Sequence, residues 1–107
     1  MFSELVRDLN EKGAGVRAFD MCARAARARI PGEPDNAAAL LLVSYAAQLF
    51  VDSYDDQPIS VDEAAEELKQ FNGIVSTLEK AFAAGSADEK LAALNSVAAT
   101  VLAVAKS

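Results

Sequence analysis

The apolar residues of the first third of the chain recur at alternating steps of three and four, which is the repeat of an α-helix. They form one stripe over residues 2–30 that only Lys12 interrupts. The stripe keeps its phase across Gly13–Gly15, although each glycine costs a helix about 1 kcal/mol relative to alanine. We therefore predict one long, kinked helix from about Ser3 to Arg29, ended by Pro31 because a proline disfavours helical geometry in the residue before it.

The second predicted helix begins at a cap on Asp35 or Asn36 and runs to about Tyr54. Apolar side chains cover well over half of its circumference, more than a surface helix of a lone bundle requires. The polar strip that remains consists of Ser44, Gln48 and Asp52. Two explanations stay open: the helix contributes to an interface with a partner, or it lies centrally, covered by the other helices of its own chain.

Two serine–glutamate pairs have the spacing of capping boxes and mark the starts of a third and a fourth helix. The pairs are Ser60 with Glu63 and Ser86 with Glu89. The third helix stops at Gly85, and the short connection makes it an antiparallel neighbour of the fourth. The whole pattern predicts an all-α, four-helix bundle-like fold. The apolar stripe of the third helix comprises Val61, Ala64, Leu68, Phe71, Val75, Leu78 and Phe82.

The composition is that of one globular domain spanning residues 1–107. Of the 107 residues, 52% are hydrophobic and 24% are charged, a balance that excludes a disordered tail. Glu4 and Asp8 interrupt any apolar core of a secretory signal, so we expect a cytoplasmic protein. The most apolar stretch, residues 37–51, falls short of the roughly 20 residues that span a bilayer, so no membrane association is expected.

The charge of the chain argues against nucleic-acid binding. The formal net charge is −6. Residues 1–30 have a net charge of +2, with six basic and four acidic residues, whereas residues 31–107 have a net charge of −8. Phosphates would be repelled by most of such a surface.

The chain has no histidine and one cysteine, Cys22. This excludes a disulfide within the chain, Cys/His zinc sites and histidine-dependent catalysis. Cys22 lies beside the first apolar stripe, where a free cysteine behaves as a small buried hydrophobe. We expect no cofactor.

Two acidic pairs are the strongest candidate for chemistry. Asp52 and Asp56 lie one turn apart near the end of the second helix, and Glu63 and Glu67 lie one turn apart near the start of the third. Converging carboxylates could bind Mg²⁺ or Mn²⁺ and support hydrolysis of a phosphorylated small molecule. The structural interpretation is favoured, because acids in the first turn of a helix are stabilised by its dipole without any ligand.

The acidic run of the third helix resembles a motif of the all-α nucleotide pyrophosphohydrolases of the MazG type. Residues 62–66 read Asp-Glu-Ala-Ala-Glu, where that family has EExxE. The family's later ExxD motif has a candidate in residues 79–82, whose last residue is Phe82 instead of aspartate. The resemblance implies metal-dependent nucleotide hydrolysis, but it covers too few residues to assign the chain to that family or to transfer site residues.

Basic residues crowd the C-terminal half of the first segment, where cations interact favourably with a helix dipole. Asp20 lies one turn before Arg24 and can pair with it, which favours a solvated face. The alternative is docking to an acidic surface of a partner, including the region of Asp52 and Asp56 in a second copy.

These observations favour a non-enzymatic interaction module of accessory, regulatory, immunity or chaperone-like type. It would act by forming a homodimer, by docking to a partner protein, or both. The metal-dependent hydrolase using Asp52, Asp56, Glu63 and Glu67 is the alternative. The candidate interface residues are Arg17, Arg24, Arg27, Leu42, Tyr45, Leu49 and Phe50.

Overall fold

The structure, a computed structural model, describes residues 1–54 and 58–106. Over these residues the chain is all-helical, which confirms the predicted class, and it has five α-helices and two 3₁₀ turns. The second, third and fourth predicted helices correspond to α3, α4 and α5. The five helices are α1 (Ser3–Glu11), α2 (Val16–Arg29), α3 (Ala37–Tyr54), α4 (Val61–Ala84) and α5 (Ala87–Lys106).

The first predicted helix is in fact two helices, so the prediction of one long kinked helix is wrong. Gly13 and Ala14 between them have φ angles of 92° and 52°, in the left-handed region. The amide of Gly13 donates to the carbonyl oxygen of Asn10 at 3.1 Å, and the amide of Ala14 donates to that of Leu9 at 3.0 Å. This is the Schellman motif, in which a left-handed glycine ends a helix.

The predicted apolar stripe is nevertheless largely buried, on two helices instead of one. α1 folds back against α2, and the thiol of Cys22 donates a 3.9 Å hydrogen bond to the carbonyl oxygen of Leu5. Lys12, the one polar position in the stripe, is exposed at the turn. The buried members are Phe2, Leu5 and Leu9 of α1 and Phe19, Ala23 and Ala26 of α2.

Two 3₁₀ turns, Ile30–Gly32 and Pro34–Asn36, connect α2 to α3. Each has a proline in its first two positions, where the missing amide hydrogen removes no intrahelical bond. The guanidinium of Arg29 donates hydrogen bonds of 2.6 and 2.9 Å to the carboxylate of Glu33. The side chain of Asn36 donates to the same carboxylate at 3.1 Å. These contacts fix the path of the chain into α3.

Both predicted capping boxes are present, which confirms the starts of α4 and α5. The amide of Glu63 donates to the hydroxyl of Ser60 at 3.1 Å, and that of Glu89 donates to the hydroxyl of Ser86 at 3.2 Å. Gly85 ends α4, as predicted, in an extended conformation. A Cβ atom there would collide with a carbonyl oxygen one turn back in α4, so the position requires glycine.

The core is built around α3, which packs against α2, α4 and α5. Phe19 of α2 stacks on Phe50 of α3 with ring centroids 4.0 Å apart, and it meets Phe71 of α4 edge-on at 5.3 Å. Phe2 meets Phe82 of α4 at 5.6 Å, which seats the start of α1 on α4. Aromatic pairs of this geometry add about 0.5–1.5 kcal/mol each beyond the area that they bury.

The first turn of α4 lies outside the core, which corrects the prediction for Val61. Its side chain is 86% exposed, whereas the predicted stripe is buried from Phe71 onward and half-buried before it. The hydroxyl of Tyr54, the last residue of α3, reaches Glu67. Of the residues of α4 before Glu67, Ala64 is half-buried and the others are exposed.

Candidate interaction surface

α3 and α5 lie side by side and run in the same direction. Leu41 and Tyr45 line a groove together with Ala98 and Leu102. Further along, residues 46–53 of α3 line a cleft together with Val101 and Val104 of α5. The two helices are therefore parallel, with their C-termini at the same end.

The adjacent stretches of these two helices carry no charge. Residues 37–51 and residues 91–105 contain none of the ten basic and sixteen acidic residues of the chain. The groove between them is consequently neutral on a molecule whose net charge is −6. We call this groove the neutral face; it is lined by Leu41, Leu42, Tyr45, Ala98, Val101 and Leu102.

Large apolar side chains of the neutral face are open to solvent. Leu41 is 57% exposed, Tyr45 is 52% exposed and Leu102 is 56% exposed. Val101, which is buried, forms the floor between them. A contiguous exposed apolar patch with no charge is typical of an interaction surface, in contrast to single exposed leucines, which are common on any protein.

The exposure of these side chains follows from which sides of α3 and α5 pack into the core. α3 turns Leu40, Val43 and Phe50 into the core. Among the described residues of α5, the fully buried ones are Ala93, Val97 and Val101. α5 is therefore anchored mainly through one narrow line of small side chains, with Leu94 half-buried beside it, while Leu91 and Leu102 are exposed.

The polar strip predicted for α3 is rotated from its expected position. Ser44 was expected at the surface, but it is 2% exposed, and Arg27 of α2 donates a 2.8 Å hydrogen bond to its hydroxyl. Asp52 is exposed as expected. The exposed arc instead includes Leu41 and Tyr45, and the arginine satisfies the hydroxyl of Ser44 on the buried side of α3.

The apolar interface candidates on α3 divide into three groups. Tyr45 is exposed, and Leu42 and Leu49 are half-buried. Phe50 is 4% exposed and stacked against Phe19 in the core. Phe50 was therefore wrongly included among the surface candidates, since its ring has no free face to offer a partner.

The arginine candidates on α2 do not form one free basic face. Arg24 forms the predicted ion pair with Asp20 at 3.1 Å, and its own side chain is largely exposed. Such exposed pairs contribute little to stability. Arg27 is held by Ser44 of α3. Arg17 is exposed near the start of the helix.

The ion pair between Arg29 and Glu33 is the best-formed charged contact of the described residues. Its hydrogen bonds from Arg29, and a further one from Asn36, lower the pKa of Glu33 to about 2. The same carboxylate raises the pKa of Arg29 above its ordinary value. The pair is part of the connection between α2 and α3 and faces no cleft, so its role is to hold that connection.

The acidic residues proposed as metal ligands have separate local partners. Asp52 accepts a 3.0 Å hydrogen bond from Gln48, and Glu63 serves the capping box of α4. Glu67 accepts a 3.2 Å hydrogen bond from Tyr54. Asp56 lies outside the described residues. Among the residues that are described, no group of three or more Asp, Glu or Cys side chains is placed to hold a metal ion.

Tyr54 and Glu67 tie the end of α3 to α4. Partial burial, followed by the charge of Glu67, raises the pKa of the Tyr54 hydroxyl above its ordinary value. The tyrosine therefore stays protonated and donates to the carboxylate, while its ring packs 5.0 Å from that of Phe50. Glu67 therefore has a structural role, which is to hold the end of α3 against α4.

Glu79, the first residue of the second motif-like segment, caps α1. Its carboxylate accepts 3.2 Å hydrogen bonds from the amides of Phe2 and Ser3. Burial opposes ionisation, but the hydrogen bonds from Ser3 and Phe2 outweigh it and lower the pKa of Glu79. A carboxylate at a helix N-terminus satisfies free amides and interacts favourably with the helix dipole.

Cys22 is buried against α1, as the sequence predicts. Burial, and next the charge of Asp8, raise the pKa of its thiol to about 11. Because the thiolate is the reactive form, this cysteine is inert at neutral pH.

A small cleft opens between α3, α4 and α5 beside the neutral face. Its walls include Phe19, Leu49 and Ile74, with Glu67 and Gln70 among its polar residues. Its volume is about 40 Å³, which is room for a few water molecules and is far below the size of a metabolite pocket.

By length and composition alone, one helical segment among residues 1–54 and 58–106 could cross a membrane. It is Pro34–Tyr54, with a mean hydropathy of 1.3. The core helix of a folded domain meets the same criterion, and α3 packs against three other helices. This segment is therefore weak support for a membrane span.

No protein-family model matches the chain, and no curated protein or solved structure matches it.

Sequence reasoning missed Leu41 and Leu102 as surface residues. The sequence pattern shows that apolar residues surround most of α3. It does not show which side of α3 the other helices cover. The signal that would have found the neutral face is the pair of charge-free stretches, residues 37–51 and 91–105. A solvent-facing helix normally carries charges on its outer side, so two such stretches indicate surfaces that avoid water.

Proposed function

We propose that this protein is a non-enzymatic interaction module that binds protein through the neutral face. The observation that supports this most strongly is the exposure of Leu41, Tyr45 and Leu102 side by side on two charge-free helices. Full burial of a large apolar side chain from water is worth about 1.5–3 kcal/mol, and roughly half of that remains to be gained at each of these half-exposed side chains. A partner that covers the neutral face recovers much of that free energy.

The charge of the chain indicates how such a module selects its partner. A charged group buried against the neutral face would lose its hydration without gaining a counter-ion. The neutral face therefore selects apolar partner surfaces, because a charged partner surface would lose its hydration on binding. A cytoplasmic accessory, regulatory, immunity or chaperone-like role fits this chemistry.

Affinity capture with two matched variants tests the proposal. Leu102→Glu places one acid in the neutral face, whereas Val61→Glu places the same charge at an exposed valine in the first turn of α4, away from that face. We expect the wild type and Val61→Glu to retain the same proteins from a lysate of the source organism, and Leu102→Glu to lose them. Equal capture by all three folded proteins would contradict the proposal.

A further inference from the structure

From the neutral face we infer a more specific partner: a second copy of this chain, bound through the same face around a twofold axis. This inference rests on the proposed function and names the occupant of its binding surface. It is argued from the charge, the shape and the size of the neutral face.

The charge of the chain limits how two copies can meet. Each copy has a net charge of −6, so approach through most of the surface is opposed by repulsion between like charges. The neutral face lies between residues 37–51 and residues 91–105, two stretches that carry no charge at all. It is thus the surface on which two copies can make close contact without placing like charges together.

The neutral face also has a form that suits pairing with itself. In a twofold dimer, the same patch of each copy must complement itself. The groove between α3 and α5 has a floor at Val101 and protruding rims at Leu41, Tyr45 and Leu102. Rims of one copy can enter the groove of the other, so apolar side chains meet apolar side chains across the whole contact.

The size of the neutral face predicts a weak, reversible dimer. Each charge-free stretch of 15 residues is about 22 Å long, and two helices side by side are about 20 Å wide. The contact can therefore take up at most roughly 450 Å² of each copy, about half of the ~800 Å² that each partner contributes to an interface of standard size. We therefore expect dissociation constants in the micromolar range, on the order of 1–100 μM.

Sedimentation equilibrium of the full chain tests this inference. Because the chain has two tyrosines and no tryptophan, interference optics should be used across roughly 1–300 μM, a range that brackets the expected constant. We expect a monomer–dimer equilibrium for the wild type and for Val61→Glu. Leu102→Glu should weaken the dimer by more than about tenfold, because it buries an unpaired acid in each half of the interface.

The salt dependence separates the neutral face from the arginine face of α2. If two like-charged copies meet through an uncharged face, raising the salt concentration screens their repulsion and strengthens the dimer. If Arg17 and Arg24 instead dock on Asp52 of the second copy, added salt weakens the dimer, because it screens the attraction between opposite charges. A dimer that dissociates as salt rises would overturn the inference.

The remaining outcomes distinguish this inference from the proposed function. If all variants remain monomeric at 300 μM while Leu102→Glu alone loses a captured protein, the second copy is wrong and the interaction function stands. A third outcome is that no dimer forms and the chain binds neutral phosphatidylcholine vesicles, with Leu102→Glu abolishing that binding. The neutral face would then bind lipid, which would overturn both the inferred dimer and the proposed protein-binding function. Circular dichroism melting of each variant establishes that it is folded.

Discussion

The guanidinium of Arg27 on α2 donates a 2.8 Å hydrogen bond to the hydroxyl of Ser44, a buried residue on α3. Ser44 lies inside the most apolar helix of the chain, where an unsatisfied hydroxyl would be costly. The arginine reaches it from a neighbouring helix while the rest of its side chain stays at the surface. The bond satisfies the hydroxyl that α3 buries together with Leu40 and Val43, while Leu41 and Tyr45 stay exposed.

The Arg27–Ser44 bond predicts an asymmetric pair of substitutions. Arg27→Ala leaves the Ser44 hydroxyl buried without its partner and should cost about 1–3 kcal/mol of unfolding free energy. Ser44→Ala leaves an arginine that water can solvate and should cost less, about 0.5–1.5 kcal/mol. Urea titrations of both single variants and the double variant measure the coupling. Equal single costs that add in the double variant would show that the bond stabilises nothing.

Glu79 predicts a loss of stability that depends on pH. Its folded pKa is lowered below the ordinary value of 4.5, so its contribution is complete above that value and is lost as the pH falls through the folded pKa. Glu79→Gln should cost about 1–2 kcal/mol at pH 7, since it weakens charge-assisted bonds to the first amides of α1. The difference from the wild type should shrink as the pH falls below 4.5 and through the folded pKa.

The matched control for Glu79 is Glu66→Gln, an exposed glutamate on the same helix. Denaturant midpoints of the three proteins at pH 7 and at pH 3 separate the effect of the cap from that of net charge. A Glu79→Gln cost that stays constant with pH would mean that the carboxylate charge does not stabilise α1.

The turn between α1 and α2 predicts unequal costs of substitution at its two glycines. Gly13 has a φ angle of 92°, which costs a residue with a Cβ atom roughly 1–2 kcal/mol. Gly15 has a φ angle of −95°, and no atom outside its chain neighbours lies within 4 Å of a Cβ built there. Gly13→Ala should therefore lower stability by about 1 kcal/mol or more, whereas Gly15→Ala should change it by less than about 0.5 kcal/mol. Thermal melts of the two variants are the check, and identical melts would refute the turn geometry.

The same turn shows what hydrophobic periodicity can and cannot predict. The stripe over residues 2–30 correctly identified most of the buried side chains, because burial decides where apolar residues are placed. The stripe could not predict that the backbone reverses at Gly13. Two helices that pack against each other each keep the repeat of three and four residues, so the repeat looks the same as in one long helix. The Lys12 position, polar within an apolar stripe, marks the reversal.

Local signals and long-range contacts differed in how well they could be predicted. The boxes at Ser60 and Ser86 depend on residues three apart, so the sequence alone located the starts of α4 and α5. The burial of Ser44 depends on Arg27, 17 residues earlier, and the role of Glu79 depends on amides 76 and 77 residues away. No pattern within one helix contains that information.

The acidic residues give a further prediction: divalent metal should leave the melting temperature nearly unchanged. Asp52, Glu63 and Glu67 each have a separate partner within the described chain, and a ligand stabilises a protein only by binding its folded form. Melting in millimolar Mg²⁺ or Mn²⁺, against a sample with chelator, measures this. A rise of many degrees that Glu63→Gln and Glu67→Gln together abolish would instead support the metal-dependent hydrolase.

The central claim, that the neutral face is the surface through which this protein associates, is tested most directly by methyl NMR of the full chain during dilution. With leucine and valine methyl groups labelled, we predict that the signals of Leu41, Leu42 and Leu102 shift with concentration between about 1 mM and 1 μM, a range that spans the expected constant. The signals of the core residues Leu9 and Leu78 should stay fixed, because no partner reaches them. Methyl signals that do not change at any concentration, or changes confined to residues beside Arg17 and Arg24 on α2, would contradict the account.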